Sequence, residues 1–368
     1  MTLTNYWWLL IWIFIGGVLA LFIPKQQKLV NGRKVERWTM PTALILIAPY
    51  IVWAGFRSNA FGDTGSYQKA FRECASSFGE IGNYLSSVTK DKGFYLLMAL
   101  EKSIFGDSCR LFFVLLAAFQ LLIIVWMFRK YSEDYWFSIF LFIASTDYIS
   151  WTFNGIRQFT AVVIAYAATP FILKKKYIPS ILLILLASTM HQSVLLMIPI
   201  IFIIQGKAWN KKTVLCILAC LAALLFVDRF TNIMDSMLAE TQYQNVVSDY
   251  KSWNDDGTNP LRVLVYSIPM ILSLIGLKYV QAENDPMINT AVGASAIVCG
   301  LYVISMVTSG IFLGRLPIYI SLWSQCILLP WEIKHMFTEK SARLVKIIAI
   351  CCYCVFFYFQ MHFTWGIL

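Results

Sequence analysis

Apolar runs near the ~20 residues needed to cross a bilayer recur from end to end of this chain, and no soluble domain fits between them. Trp7 to Ile23, Leu111 to Phe128, Arg262 to Gly276 and Ile347 to Phe363 are examples. Hydrophobic residues make up 59% of the chain and charged residues 14%, so the solvent it is built for is lipid rather than water. The expected fold is an all-α polytopic integral membrane protein, a single domain over residues 1–368. The first run has no basic stretch before it and no small-residue cleavage site after it, and meets Pro24-Lys25. It reads as a retained helix rather than a signal peptide, with its amino end outside.

Lysine and arginine in short loops set the orientation, because cytoplasmic loops are enriched in both. Lys25, Lys28, Arg33, Lys34 and Arg37 crowd the first loop, and later groups are Arg129-Lys130, Lys174-Lys175-Lys176, Lys207 with Lys211-Lys212, and Lys334 to Lys346. For the third and fourth groups both to face the cytoplasm, Ile178 to Ile204 must cross twice, as two short helices hinged near His191. At 1.5 Å per residue, halves of about 13 residues would span only ~20 Å, so the hinge would lie recessed in a protein-lined cavity. One tilted helix is the rival reading, and it inverts everything downstream. The preferred count is twelve crossings, within a range of ten to twelve, with both termini outside. The net charge of +10 then reflects insertion and anionic headgroups, not nucleic acid.

On this topology two longer segments face outward, at about 57–109 and 228–261. The second carries Tyr243, Tyr250 and Trp253, which could stack on sugar faces, followed by Asn254-Asp255-Asp256-Gly257, a turn signal rather than a metal pair. The first opens with Arg57, Gly62, Asp63 and Tyr67, an arginine and a carboxylate separated by a glycine-bearing turn just beyond a helix end. Arg57 also suits an interfacial anchor that snorkels to the headgroups, and Asp63 a turn or helix N-cap. Asn154-Gly155-Ile156-Arg157-Gln158 lies where one apolar span ends and the next begins, and His191-Gln192-Ser193 interrupts the span after that. Charge is expensive inside a membrane, so an arginine at a helix start calls for an anion to bind. Cys74 and Cys109 both fall on the outer side, where a disulfide between them is possible chemistry.

These residues resemble the EpsG-like branch of the Wzy-type polysaccharide polymerases. The matching patterns are Arg57, Gly62, Asp63 and Tyr67; Asn154 with Arg157-Gln158; Ala187, His191 and Ser193; and, more weakly, Arg315 in Gly314-Arg315-Leu316-Pro317. Where such proteins often place an acidic residue before an aromatic, this chain departs from the pattern with Lys92-Gly93-Phe94-Tyr95, which puts a carboxylate's role there in question.

The resemblance implies a GT-C-like membrane glycosyltransferase that moves a growing glycan from undecaprenyl diphosphate to the non-reducing sugar of another lipid-linked repeat unit. The reaction would take place on the outer face of the bacterial cytoplasmic membrane, with a flippase and a chain-length regulator as neighbours. Cations must then stabilise a diphosphate leaving group, and arginine suits this through its bidentate fork. Arg157 is the first choice, with Arg315 and Arg57 completing a clamp. His191 could donate to the phosphates or take the proton of the attacking hydroxyl, and Asp63 is the alternative base. Asn154, Gln158, Ser193, Tyr67 and Arg262 are the candidate substrate contacts. There is no Walker loop, dinucleotide fingerprint or zinc-type cysteine pair, and the expectation is no cofactor and no metal. An O-antigen ligase would use the same donor, and a flippase of lipid-linked sugar would also need an arginine-lined cavity.

Overall fold

The computed structural model describes residues 5–23, 25–30, 33–238 and 257–368. Tyr243, Tyr250, Trp253, Asn254, Asp255 and Asp256 lie outside the described residues. The chain divides into two compact units, one comprising Met1–Leu196 with Arg343–Leu368, the other Met197–Ala342.

The first unit runs α1 (Trp7–Leu21), a hairpin of β1 (Gln26–Val30) and β2 (Arg33–Arg37), α2 (Met40–Phe56), α3 (Thr64–Glu73), α4 (Ile81–Ser87) and α5 (Lys92–Phe105). It continues with α6 (Cys109–Tyr131), α7 (Tyr135–Ala144), α8 (Asp147–Phe153), α9 (Ile156–Ala167), α10 (Thr169–Leu173) and α11 (Tyr177–Ser188). The antiparallel hairpin, pairing Gln26 with Arg37 and Val30 with Arg33, is an exception to the expected all-helical chain, and it falls in the first basic loop. The second unit holds α12 (Met197–Ile203), α13 (Lys211–Leu225), α14 (Val227–Leu238), α15 (Pro260–Ile275), α16 (Leu277–Glu283), α17 (Pro286–Met306), α18 (Ile318–Trp323) and α19 (Leu329–His335). The last helix, α20 (Glu339–Phe359), starts at the unit boundary.

Helix starts follow capping chemistry. Thr39, Ser108, Asp134, Asn210, Asn259 and Asp285 each accept a backbone N–H of the first turn through the side chain, and at α2, α15 and α17 a proline sits just inside. Among the described residues four helical segments are long and apolar enough to span a bilayer: Cys109–Tyr131, Ile156–Leu173, Pro286–Met306 and Glu339–Thr364. Two bent pairs, α13 with α14 at 106° and α15 with α16 at 76°, raise this to six, and five shorter apolar helices accompany them. Large apolar side chains point outward along these helices, Leu21 at 73%, Ile178 at 75% and Ile275 at 78% exposure, which only lipid accommodates. The protein is therefore a helical multi-pass membrane protein.

In the first unit α2 packs along α6, and α9 lies against both α6 and α11. The 17 residues of α2 separate two polar ends. At the Thr39 end Arg129 donates to the Trp38 carbonyl at 3.0 Å, Arg37 to the Ser132 carbonyl, and Lys346 pairs with Asp134. Basic residues of three predicted cytoplasmic loops thus gather at one end, and the Arg57 group stands at the other. In the second unit α17 is the central helix, packed by α13, α15 and α18. Its small residues permit close approach: a Cβ on Gly293 would lie 3.1 Å from the Ile204 Cα.

Candidate active site

The turn between α8 and α9 organises the Arg57 end of the first unit. Gly155 has φ +56°, and a Cβ there would sit 2.0 Å from the Trp151 ring, so no side chain fits. Asn154 uses its carboxamide oxygen to accept the Asp63 N–H at 2.8 Å. Gly62, at φ +50°, is the residue that lets this happen, because its Cβ would fall 2.4 Å from the Asn154 Cγ. Two sequence motifs 91 residues apart are thereby one structural piece. Arg57 joins the same turn: its Nη1 donates to the carbonyls of Ala54 at 3.1 Å and Thr152 at 3.3 Å. Its Cζ lies 3.5 Å from the Phe113 ring centre and its side chain is buried, so it does not extend to headgroups as an anchor would.

Arg157 stands in the first turn of α9, a helix fixed from behind by Gln120, which donates to the Ile156 carbonyl at 3.2 Å and to the Thr160 hydroxyl at 2.9 Å. Its Nη1 meets the Asp91 carboxylate at 2.8 Å. It also hydrogen-bonds the Tyr67 hydroxyl and lies 6.0 Å from the Tyr95 ring. Tyr67 is packed among Phe71, Phe94 and Phe112; burial raises its hydroxyl above the ordinary range while Arg157 pulls the other way.

Asp91 is the residue the sequence reading missed. The expected acidic position held only Lys92-Gly93-Phe94-Tyr95, but the carboxylate comes from one residue earlier. It has φ +54°, a left-handed backbone that aspartate tolerates at some cost. Its carboxyl is raised above the usual range by burial, with Arg157 holding it down. The Gln192 amide also favours its charged form, so one carboxylate ties Arg157 to the His191 segment. The loop is docked next door, where Gly93 donates to the Thr189 carbonyl at 2.9 Å and its Cβ would strike Thr189 Oγ1 at 2.2 Å.

The chain does break at Thr189 to His191, between α11 and a short 3-10 turn over Gln192–Leu196. His191 Nδ1 lies 2.8 Å from Ser193 Oγ, and the ring is half-buried. Gln158 is buried on α9. Asp63 occupies the N-cap position of α3 without making a capping bond, and it is exposed. Cys74 and Cys109 are free thiols, not a disulfide: Cys74 donates to the Phe71 carbonyl at 3.1 Å inside the apolar cluster that Cys109 flanks.

Arg262 and Arg315 belong to the second unit. Arg262 lies 5.2 Å from the Tyr302 ring on α17. One turn on, Ser305 donates to Thr258 Oγ1 at 2.7 Å and accepts the Thr258 N–H at its carbonyl. A Cβ on Gly314 would come within 2.5 Å of Thr258 Oγ1. Both arginines therefore approach the carboxyl-terminal end of α17, with Arg315 exposed.

A family model described as the EpsG family matches residues 42–365, a span that contains every one of these positions. The chain belongs to the EpsG family. This is a Wzy-like polysaccharide polymerase family. No curated protein and no solved structure matches the chain. For an EpsG-family chain, the docking of Gly62-Asp63 on Asn154 gives a physical reason for those residues to occur together.

Proposed function

We propose that this EpsG-family protein is a glycosyltransferase that polymerises lipid-linked repeat units, moving a growing glycan from undecaprenyl diphosphate to the non-reducing end of an acceptor unit. The observation that carries the reading is the cluster of Arg157, Asp91, Tyr67 and the His191-Ser193 pair, assembled from separate segments at the end of the unit opposite the basic loops. With those loops cytoplasmic, the cluster faces the outside of the cytoplasmic membrane in a GT-C-like plan of twelve crossings.

In this mechanism Asp91 is a positioning residue. It occupies one nitrogen of Arg157 and orients the guanidinium, whose buried Nε has no partner among the described residues and is left for the donor's phosphate oxygens. As the glycosidic bond breaks, negative charge grows on the leaving diphosphate, and Arg157 with Arg57 stabilises it more in the transition state than in the ground state. His191, oriented by Ser193, takes the proton of the attacking sugar hydroxyl, with Asp63 as the alternative base. Asn154, Gln158 and Tyr67 shape the surrounding contacts, and Arg262 and Arg315 are the substrate contacts proposed for the second unit. No cofactor or bound metal is assigned, and a flippase and a chain-length regulator are the expected neighbours.

The test is polymerisation of purified undecaprenyl-diphosphate repeat unit by the reconstituted protein, read as a ladder on a gel with a chelator lane. Wild type should give a ladder in both lanes, and folded Arg157→Ala and His191→Ala should give none. Transport of the substrate across liposomes without a ladder would replace this reading with a flippase, and transfer to a lipid A-type acceptor alone would replace it with a ligase.

A further inference from the structure

Beyond α20 the helix widens into a π turn, Gln360–Thr364, and then hooks back on itself. Trp365 donates its N–H to the Gln360 carbonyl at 3.0 Å, Gly366 takes φ +61°, and Ile367 donates to the Met361 carbonyl at 3.1 Å. Thr364 Oγ1 donates to Gln360 Oε1 at 2.7 Å across the same turn. A π turn is a rare way to finish a helix, and such turns concentrate at functional sites. What this hook fixes is the position of one indole.

The Trp365 indole is stacked on Phe61, with ring centres 5.0 Å and planes 28° apart. Phe61 is 1% exposed and packs in turn against Tyr6 at 5.1 Å and Phe153 at 5.4 Å. Each of these rings adjoins the docked turn. Phe61 immediately precedes Gly62-Asp63, Phe153 immediately precedes Asn154, and the Tyr6 hydroxyl accepts the Ser58 N–H at 3.1 Å, next to Arg57. All belong to the first unit, so the stack backs the same piece of structure that carries Asp63 and Asn154. Trp365 ends that stack: among the described residues Phe61 is the one ring against it, and the indole is half-buried.

Its surroundings separate Trp365 from the aromatics that face lipid. Phe363, two residues earlier, is 68% exposed and touches only Tyr358, Phe359 and His362 among ring partners in the described residues. Around Phe61 the exposed residues are instead Asn59, Gly62, Asp63, Gly65 and Ser66, with Gln68 donating to the Asn59 carboxamide at 2.8 Å. An indole held rigid by a second ring, beside amides and a carboxylate, has the composition that holds a pyranose. Its electron-rich face attracts the polarised C–H bonds of the sugar while the polar groups take the hydroxyls. We propose that Trp365 is a stacking platform for a sugar ring of the repeat unit beside Asp63, and so a specificity-determining residue. The carbohydrate class of the ligand rests on the polymerase reading.

Full-length protein in nanodiscs should be titrated calorimetrically with the repeat-unit oligosaccharide freed of lipid and diphosphate by mild acid, as wild type, Trp365→Phe, Trp365→Leu and Phe363→Leu. Trp365→Phe, which keeps an aromatic face, should bind within about threefold of wild type, and Trp365→Leu, apolar but without that face, roughly tenfold more weakly. Phe363→Leu should bind as wild type does. In the ladder assay Trp365→Leu should raise KM for the repeat unit with little change in kcat, a split that a general loss of packing does not give. Equal sugar binding by wild type and Trp365→Leu overturns the proposal and leaves Trp365 an interfacial anchor. Equal weakening in Trp365→Leu and Phe363→Leu, or no sugar binding by wild type, overturns it as well. A missing ladder beside sugar binding that depends on Trp365 would remove the polymerase reading and leave the platform standing.

Discussion

Asp91 and Gly62 show what single positions contribute that spacing cannot reveal. Arg157 and Asn154 were legible because a cation or amide at a membrane helix start has few structural uses. Asp91 was not, because its partner lies 66 residues away and a left-handed aspartate leaves no local signature. Asp91→Asn should abolish the ladder more than tenfold while Arg157→Lys, which keeps charge but not the planar fork, leaves a residual; equal activity of Asp91→Asn and wild type would remove its positioning role. Gly62→Ala must both adopt a strained φ and push Asn154 aside, and it should cost roughly 1–3 kcal/mol, seen as a fall in melting temperature. Glu101 on α5 gives a pH signature. Burial raises its carboxyl to about 7, and its Oε2 has no partner among the described residues. With the folded pKa above the unfolded one, its share of stability is complete below the ordinary carboxylate range and is lost as pH rises through about 7. Glu101→Gln should therefore raise the melting temperature at pH 8, by the equivalent of about 1 kcal/mol after allowing for partial exposure, and leave it unchanged at pH 4.

Among elements, α3 to α5 form a small layer whose integrity depends on one lysine. Lys102 of α5, 7% exposed, donates to the carbonyls of Phe71 at 3.0 Å, Arg72 at 2.7 Å and Cys74 at 3.2 Å, closing the carboxyl end of α3 where carbonyls would otherwise be orphaned. Lys102→Met keeps the packing and removes three bonds, so α3 should fray, with faster amide exchange over Thr64–Glu73 and a loss of about 1–3 kcal/mol. Unchanged exchange there would show that apolar packing alone holds the layer. Part of this scale was legible: the break before Gln192 falls where the hinge near His191 was expected if the basic loops on either side share a face. The hairpin of Gln26–Val30 and Arg33–Arg37 was not, because its basic residues were read for charge and not for the alternation of a strand. The layer of α3 to α5 also escaped, since Glu101 and Lys102 in an apolar stretch have opposite meanings depending on whether a partner carbonyl is near.

For the whole molecule, the family match and the outward-facing apolar surface agree with the class expected from composition, while the number of crossings depends on the hinge at His191. Single cysteines at Lys175 and Lys211 in a cysteine-free background test it. Both should react with an impermeant maleimide only after the cytoplasmic face is opened, and reaction of the Lys211 position from outside would establish a single tilted crossing instead. Two compact units were not apparent from the sequence, because apolar spans look alike whichever neighbours they choose, and the small-residue face of α17 declares close packing without naming the partner.

The Asn154-Gly155 pair has a chemical consequence beyond the turn it makes. In an unrestrained chain this dipeptide is prone to deamidation, the Gly155 nitrogen attacking the Asn154 Cγ to release ammonia and form a succinimide that opens to aspartate or isoaspartate. Here the carboxamide is held by the Asp63 N–H with Gly62 pressed against it, which keeps the group from turning toward that nitrogen. The same lock that seats the arginines therefore sets the shelf life of the protein. Time spent with this turn undocked accumulates as a covalent scar at residue 154, readable by mass spectrometry in aged membranes.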